Sequence, residues 1–498
     1  MAVINRRSSI PNRFSIGSLD VPLSVREVQL GNYVNPAFVG IALVIFGVGF
    51  VAIQMAEALW IIFTIFLVWR AKGDVLLPLL IMFIVPSDFV RASNGDSIAR
   101  DVLSGTGINV LGFPLSARLS LVFLVPLRVF CGLITNERKY NSRVKWLMWL
   151  WLVAFVPIFI GTIEGWKAGY ENWTRPARFL GLTASFFYGI LLTKRSTISA
   201  KGLLDFVFIP FVSVMLLFVS IGMVHQHFRY FLSGMGASIA WYSVVRGGIC
   251  RWVYAPCILA GVFVSALHGA FTDILLAIVG VGMGVLTYGN LRAKAFNLGS
   301  FLSSLATIII FVFGTVFYCQ ARGVVDVSQD LSDSVTDRIV AKIAGDRAGL
   351  WVPAFQQIIG GPYLIVPAGR PVQIRTDTLI VDWSVGVHNA LLESIRVAGV
   401  LGGGIILFIA WSAIYCCFKA VRMASSLETR TIAGGIITIG LVGFAVEDFV
   451  LDQNVAFWGW SVAGIAYAMA LRQNPEVLVP RRMREYGNPT RPTVRFRR

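Results

Sequence analysis

Residues 395–417 read Ile-Arg-Val-Ala-Gly-Val-Leu-Gly-Gly-Gly-Ile-Ile-Leu-Phe-Ile-Ala-Trp-Ser-Ala-Ile-Tyr-Cys-Cys, with Arg396 as the one charged residue. A helix rises about 1.5 Å per residue, so a run of this length reaches across the roughly 30 Å hydrocarbon layer of a bilayer. No water is present there to satisfy backbone N–H and C=O groups, so an isolated apolar run must be helical. The same reading applies at 37–54, 56–70, 74–89, 112–134, 146–163, 179–193, 203–223, 236–250, 253–267, 269–289, 300–318, 431–447 and 455–471. Several of these are short, and 56–70 with 74–89 could form a re-entrant pair. The expected fold is therefore all-α, a polytopic membrane helical bundle of about 12–14 transmembrane helices.

Composition agrees. The 498 residues are 56% hydrophobic and 14% charged, against about 25% charged in a soluble domain. That excludes an ordinary soluble enzyme, a disordered chain and a disulfide scaffold. The net charge of +17 would suggest nucleic acid on a soluble body, but here the basic residues punctuate apolar runs, so no nucleic-acid partner is expected. Cys131, Cys250, Cys257, Cys319, Cys416 and Cys417 lie in or beside apolar segments, and none has metal-ligand spacing with a histidine. They read as small packing residues, and neither a metal nor a cofactor is expected.

Orientation follows from lysine and arginine in the loops. With the N-terminus inside, the short cytoplasmic loops hold 16 of these residues and the short external loops 7. Both termini are thus expected in the cytoplasm. The divisions are a cytoplasmic N-terminal tail (1–36), an N-terminal transmembrane bundle (37–318), a long external loop (319–394), C-terminal transmembrane helices (395–471) and a basic cytoplasmic tail (472–498). The first tail has no apolar core or cleavage site and does not read as a signal peptide.

The long loop is where function is expected. It opens with an acidic, serine-bearing piece at 325–334, followed by a predicted helix over 335–359 with Ile339, Ile343, Leu350 and Trp351 on one apolar side. Gly360-Gly361-Pro362 ends that helix. A turn-rich basic stretch, 367–375, comes next, and 382–389 then runs into the helix that begins at Ala390. His388 stands at this helix mouth beside Asn389 and Glu393. All four histidines (His225, His227, His268, His388) fall on the external side, where a histidine is suited to proton transfer. Arg229, Arg347, Arg370, Arg375 and Arg396 are external too, against the positive-inside trend. Arg370 and Arg375 read as surface solvation, whereas Arg229 and Arg347 flank apolar helices and suit an anionic lipid head. Trp351 and Trp383 are the two tryptophans inside the long loop and the two candidates for stacking on a ligand. Other tryptophans near membrane ends read as interface anchors.

In order, Asp346-Arg347-Ala-Gly-Leu-Trp351, Gly361-Pro362 and His388-Asn-Ala-Leu-Leu-Glu393 followed by Gly399-Val-Leu-Gly402 stand ahead of a final group of helices. This arrangement, over about residues 225–450, resembles the O-antigen ligase/polymerase family of bacterial membrane glycosyltransferases. Ala266-Leu-His268-Gly-Ala270 stands where that family often has Ser-Arg-Gly-Ala, with Arg229 nearby to supply the charge. The resemblance implies a multi-pass protein of the bacterial inner membrane, with the long loop periplasmic. It also implies glycan transfer, without a metal, from a polyprenyl-diphosphate donor to an acceptor hydroxyl on a glycan or glycolipid, with possible glycan-assembly partner proteins. Departure of the diphosphate calls for cations, the role implied for Arg347, Arg229 and His268. Attack by a hydroxyl calls for a base, the role implied for His388, with Asn389, Glu393 and Trp351 in support. Polymerisation of a surface polysaccharide, O-antigen or exopolysaccharide, is the favoured reaction because the motifs diverge. Ligation to lipid A core is the alternative. From another class, a transporter or flippase of lipid-linked sugars would use Asp205, Asp273, Glu447, Asp448 or Asp452 for proton coupling.

Overall fold

The computed structural model describes residues 33–84, 108–110, 113–115, 117–134, 142–170, 172–195, 198–220, 226–267, 271–289, 348–361, 363–375, 380–383, 389–446 and 453–473. The predicted span at 300–318, the first part of the long loop and most of both tails lie outside them. The chain is a bundle of helices with two short hairpins. It begins with α1 (Pro36–Val48), which starts where Asn35 Oδ1 accepts the Ala37 N–H and Pro36 takes the first helical position. α2 (Ile53–Arg70) ends on Ala71 at φ +46°, and α3 (Leu76–Met82) follows one tight turn later, with Asp74 paired to Arg70.

The remaining helices are α4 (Ala117–Ile134), α5 (Ser142–Lys167), α6 (Arg175–Arg195), α7 (Ala200–Leu203), α8 (Ile209–Ser220), α9 (Gln226–Arg246), α10 (Ala255–Leu267) and α11 (Phe271–Gly289). After these come α12 (Ala348–Ile359), α13 (Ala390–Met423), α14 (Leu427–Val446) and α15 (Gln453–Gln473). Helices α6 and α15 form the tightest pair at the centre. Gly189 of α6 lies against the Ser461 carbonyl, and Gly464 of α15 lies against the Phe186 carbonyl. Small residues let two backbones approach this closely where there is no hydrophobic drive between helices in lipid. Around them α4, α5, α9, α13 and α14 pack, enclosing Phe186, Phe187, Tyr188, Phe457 and Trp458. A charge inside a span also has partners: Arg128 of α4 is buried with its guanidinium over the Trp69 ring and Nε 3.3 Å from the Trp69 carbonyl.

By length and composition, four described helical stretches can cross a membrane: Ala117–Ile134, Arg143–Lys167, Ala390–Met423 and Leu427–Phe444. A bent pair, Arg175–Arg195 with Ala200–Leu216, makes a fifth if counted as one span. Exposed Phe123, Leu127, Trp149, Val156 and Phe159 on these helices suit contact with lipid.

The bundle matches the helical expectation, while the hairpins add to it. β1 (Ile108–Val110) pairs antiparallel with β2 (Phe113–Leu115), and β3 (Val372–Arg375) with β4 (Ile380–Trp383), Val372 opposite Trp383. The second hairpin occupies part of the stretch read as turns. Its strand β3 alternates apolar and polar residues, Val372-Gln-Ile-Arg375, and Val372 is buried.

Candidate functional site

The site forms where α13 begins. Asn389 has extended backbone and its Oδ1 accepts the Leu392 N–H at 3.0 Å, so the helix starts immediately after it. Glu393 follows in the first turn, where a carboxylate favours the positive end of the helix dipole. It is fully buried, and its oxygens take Arg396 Nε at 3.1 Å and Arg396 Nη2 at 2.9 Å. Arg175, the first residue of α6, brings its Nη1 to 3.0 Å from Glu393 Oε1. The remaining terminal nitrogen of Arg396, Nη1, donates to the Arg370 carbonyl at 2.6 Å. One carboxylate thus ties together α13, α6 and the long loop.

Arg178 lies one turn further along α6, close enough to Arg175 for the two like charges to oppose each other. Its Nε is buried with no hydrogen-bond partner among the described residues. Among Glu393, Arg396, Arg175 and Arg178, cations outnumber the carboxylate. The first turn of α6 has no acidic residue, so its dipole adds to the positive potential.

A wedge of the long loop sets the other wall. Gly399 has φ +69° and ψ 174°, which breaks the helical path of α13. The N–H groups freed at Val400 and Leu401 donate to the carbonyls of Tyr363 (2.7 Å) and Leu364 (3.2 Å). On the opposite side, Ala368 N–H donates to the Gly161 carbonyl of α5 at 2.8 Å, and the Val366 and Ala368 carbonyls press on Gly161 and Gly165. A glycine is needed at Gly399 twice over, for the positive φ and because a Cβ would meet the Leu364 and Ile365 backbone. That is a physical role for the first glycine of Gly399-Val-Leu-Gly402. Between wedge and helix runs a shallow cleft, with Ile358, Tyr363 and Ile395 as apolar lining and Arg370 and Arg396 as cationic lining.

Of the residues singled out by sequence, Asn389 and Glu393 are in this cluster. Trp351 is half-buried on α12, beside a small core of Ala354, Val372 and Leu392. Arg229 sits in the first turn of α9 with its guanidinium 5.8 Å from the Tyr230 ring centroid, and the described contacts do not bring it to Glu393. His388, Arg347 and His268 lie outside the described residues. The first two directly precede Asn389 and Ala348, the starts of α13 and α12. Sequence reasoning missed Arg175 and Arg178, and it placed Arg396 among external charges where the structure buries it. A signal existed: Glu393 and Arg396 are three apart on a helix, and Arg175-Pro-Ala-Arg178 opens one. No group of His, Cys, Asp or Glu among the described residues could hold a metal ion.

Fold and site together define a helical protein of membrane type, whose long loop docks between α5 and α13 beside a buried Glu393–Arg396–Arg175 cluster. No protein-family model matches the chain, and no curated protein matches it either.

Proposed function

We propose that this protein transfers glycan from a polyprenyl-diphosphate donor to an acceptor hydroxyl at the periplasmic face of the bacterial inner membrane, polymerising a surface polysaccharide. The observation that carries the reading is the surplus of cations where α6 and α13 begin. There Arg175 and Arg396 share the one carboxylate of Glu393, Arg178 lies beside Arg175 with its Nε buried and without a hydrogen-bond partner among the described residues, and Ile358, Tyr363 and Ile395 supply apolar lining nearby. An amphiphile with an anionic head matches that combination: the chain partitions into apolar surroundings, and guanidinium forks suit phosphate oxygens.

In this reading Arg347, with Arg229 and His268, stabilises the charge that builds on the diphosphate as the glycosidic bond breaks. His388 accepts the proton of the attacking hydroxyl. The Asn389 cap and the Glu393–Arg396 pair fix the start of the helix that follows His388 in sequence. Trp351 supports the sugar side of the site. The partners are the lipid-linked donor, an acceptor glycan or glycolipid, the bilayer, and other glycan-assembly proteins.

The test is to delete the gene and analyse surface glycans, then complement with His388→Ala and Arg347→Ala. Loss of long chains with single repeats retained supports the polymerase. Accumulated complete lipid-linked chains would mean ligation to lipid A core instead. Normal glycan in either point variant removes that residue from catalysis. Activity that collapses with the proton gradient in vesicles would favour a transporter.

A further inference from the structure

Helix α12 carries no charged residue, and its sides differ in a way a water-facing helix would not tolerate. The inner side holds Ala354, fully buried against Val372 and Leu392, while Gln357 reaches the Pro371 carbonyl. The outer side presents Val352 (54% exposed), Phe355 (54%) and Ile359 (66%), three residues at helical spacing on one stripe. The elbow that follows continues it with Tyr363 (53%) and Leu364 (52%). Contiguous exposed apolar surface of this kind marks an interaction site.

The length of α13 locates the elbow. Gly399 divides this helix, and the stretch from Val400 to Met423, at about 1.5 Å per residue, is long enough for the roughly 30 Å hydrocarbon layer. Lys419 and Arg422 mark its basic end, and about 20 residues back from Lys419, the length of one span, lies Gly399. From that point Val400, Leu401, Phe408, Trp411 and Tyr415 are exposed along the span. Tyr363 and Leu364 hydrogen-bond through their carbonyls to Val400 and Leu401, so the elbow is held at the hydrocarbon boundary and its apolar surface continues that of the span. Four Cα–Cα steps lead from Ile359 to Tyr363, so Ile359 lies within about 14 Å of the elbow.

We propose that α12 and the elbow form an interfacial anchor, with Val352, Phe355, Ile359, Tyr363 and Leu364 inserted into the leaflet on the long-loop side. The occupant is the headgroup–acyl boundary of phospholipid. An apolar helix stripe that faces the bilayer surface sits roughly 5–10 Å into that layer, and here the opposite side of α12 packs on the loop's own residues in place of water. The anchor holds the loop, and with it the cleft, at a fixed depth. It depends only on the membrane character of the fold and stands whatever reaction the site performs.

The test places a nitroxide at Phe355→Cys and at Ile359→Cys in the full-length chain, reconstituted in phosphatidylcholine/phosphatidylglycerol vesicles. The labelled parent serves as background and an Ala168→Cys label as aqueous reference. Dissolved oxygen is expected to relax both labels several-fold more effectively than a water-soluble nickel chelate, the reverse of the reference. Greater access for the nickel chelate would put the stripe in water and overturn the anchor. Labels that neither reagent reaches would put it against protein, a second copy or the rest of this chain, and overturn it equally. Cross-linking of the unsubstituted chain from a phospholipid photoactivatable near its glycerol backbone gives an independent reading. Adducts within 352–364 are expected, and adducts on 400–411 without any in 352–364 would overturn the proposal.

Discussion

Arg396 and Glu393, one helical turn apart and both buried, form a two-pronged pair in which Nε and Nη2 of the guanidinium meet the carboxylate at 2.9–3.1 Å. Such a pair offers little net stability over apolar residues, but removing one member leaves the other charge stranded, at a cost of about 3–5 kcal/mol. Glu393→Gln should therefore lower the unfolding midpoint in detergent, read by thiol labelling of buried Cys416 and Cys417. The double variant Glu393→Leu with Arg396→Met should recover part of that loss. A midpoint unchanged in Glu393→Gln would mean that the cluster does not hold α6 to α13.

Gly399 and Gly404 make a matched pair on the same helix. A Cβ at Gly399 meets backbone of the elbow under positive φ, while one at Gly404 meets nothing within 4 Å. Gly399→Ala should cost at least about 1–3 kcal/mol from the strained backbone and should loosen the 363–368 wedge, exposing it to protease. Gly404→Ala should be neutral or slightly stabilising, since alanine is the better helix former. Equal behaviour of the two variants would contradict the wedge.

The parts of the fold that depend on local chemistry were legible. The apolar run at 395–417 announces a membrane-type helix, and Gly360 stops α12 where expected, at Ile359. What could not be read was pairing between distant segments. Arg175 meets Glu393 only because α6 and α13 pack side by side, and nothing in either segment alone records the other. Arg396 counts as an external charge in a topology tally because a tally weighs sign and position along the chain, not burial. The hairpin β3–β4 was missed for a related reason: four alternating residues after a proline are too short a signal against turn chemistry on both sides. The candidate site was thus half visible. Sequence pointed to Asn389, Glu393 and the glycines of the helix start, and only three-dimensional packing supplied the α6 arginines.

Arg178 tests the proposed donor. Its Nε is buried without a described hydrogen-bond partner beside another cation, which prepares it for an anion. A hydrogen bond to a charged group contributes about 1.5–3 kcal/mol, so Arg178→Ala should raise the KM for a lipid-diphosphate donor roughly 10- to 150-fold. The thiol-labelling midpoint should not fall, and Arg178→Lys should restore part of the affinity. An unchanged KM would remove α6 from the donor site without touching the roles proposed for His388 and Arg347.

Orientation can be settled from two exposed positions at opposite ends of the bundle. Ala168 follows α5, on the side where the elbow docks, and Ser425 lies in the turn between α13 and α14, just beyond Lys419 and Arg422. In the orientation proposed from lysine and arginine in the short loops, the second side is the cytoplasmic one. Ala168→Cys should therefore react with a membrane-impermeant maleimide in intact spheroplasts, and Ser425→Cys only after permeabilisation. The reverse pattern would invert the protein, move the arginine cluster at the start of α6 and α13 to the cytoplasmic face and end the case for a periplasmic transferase.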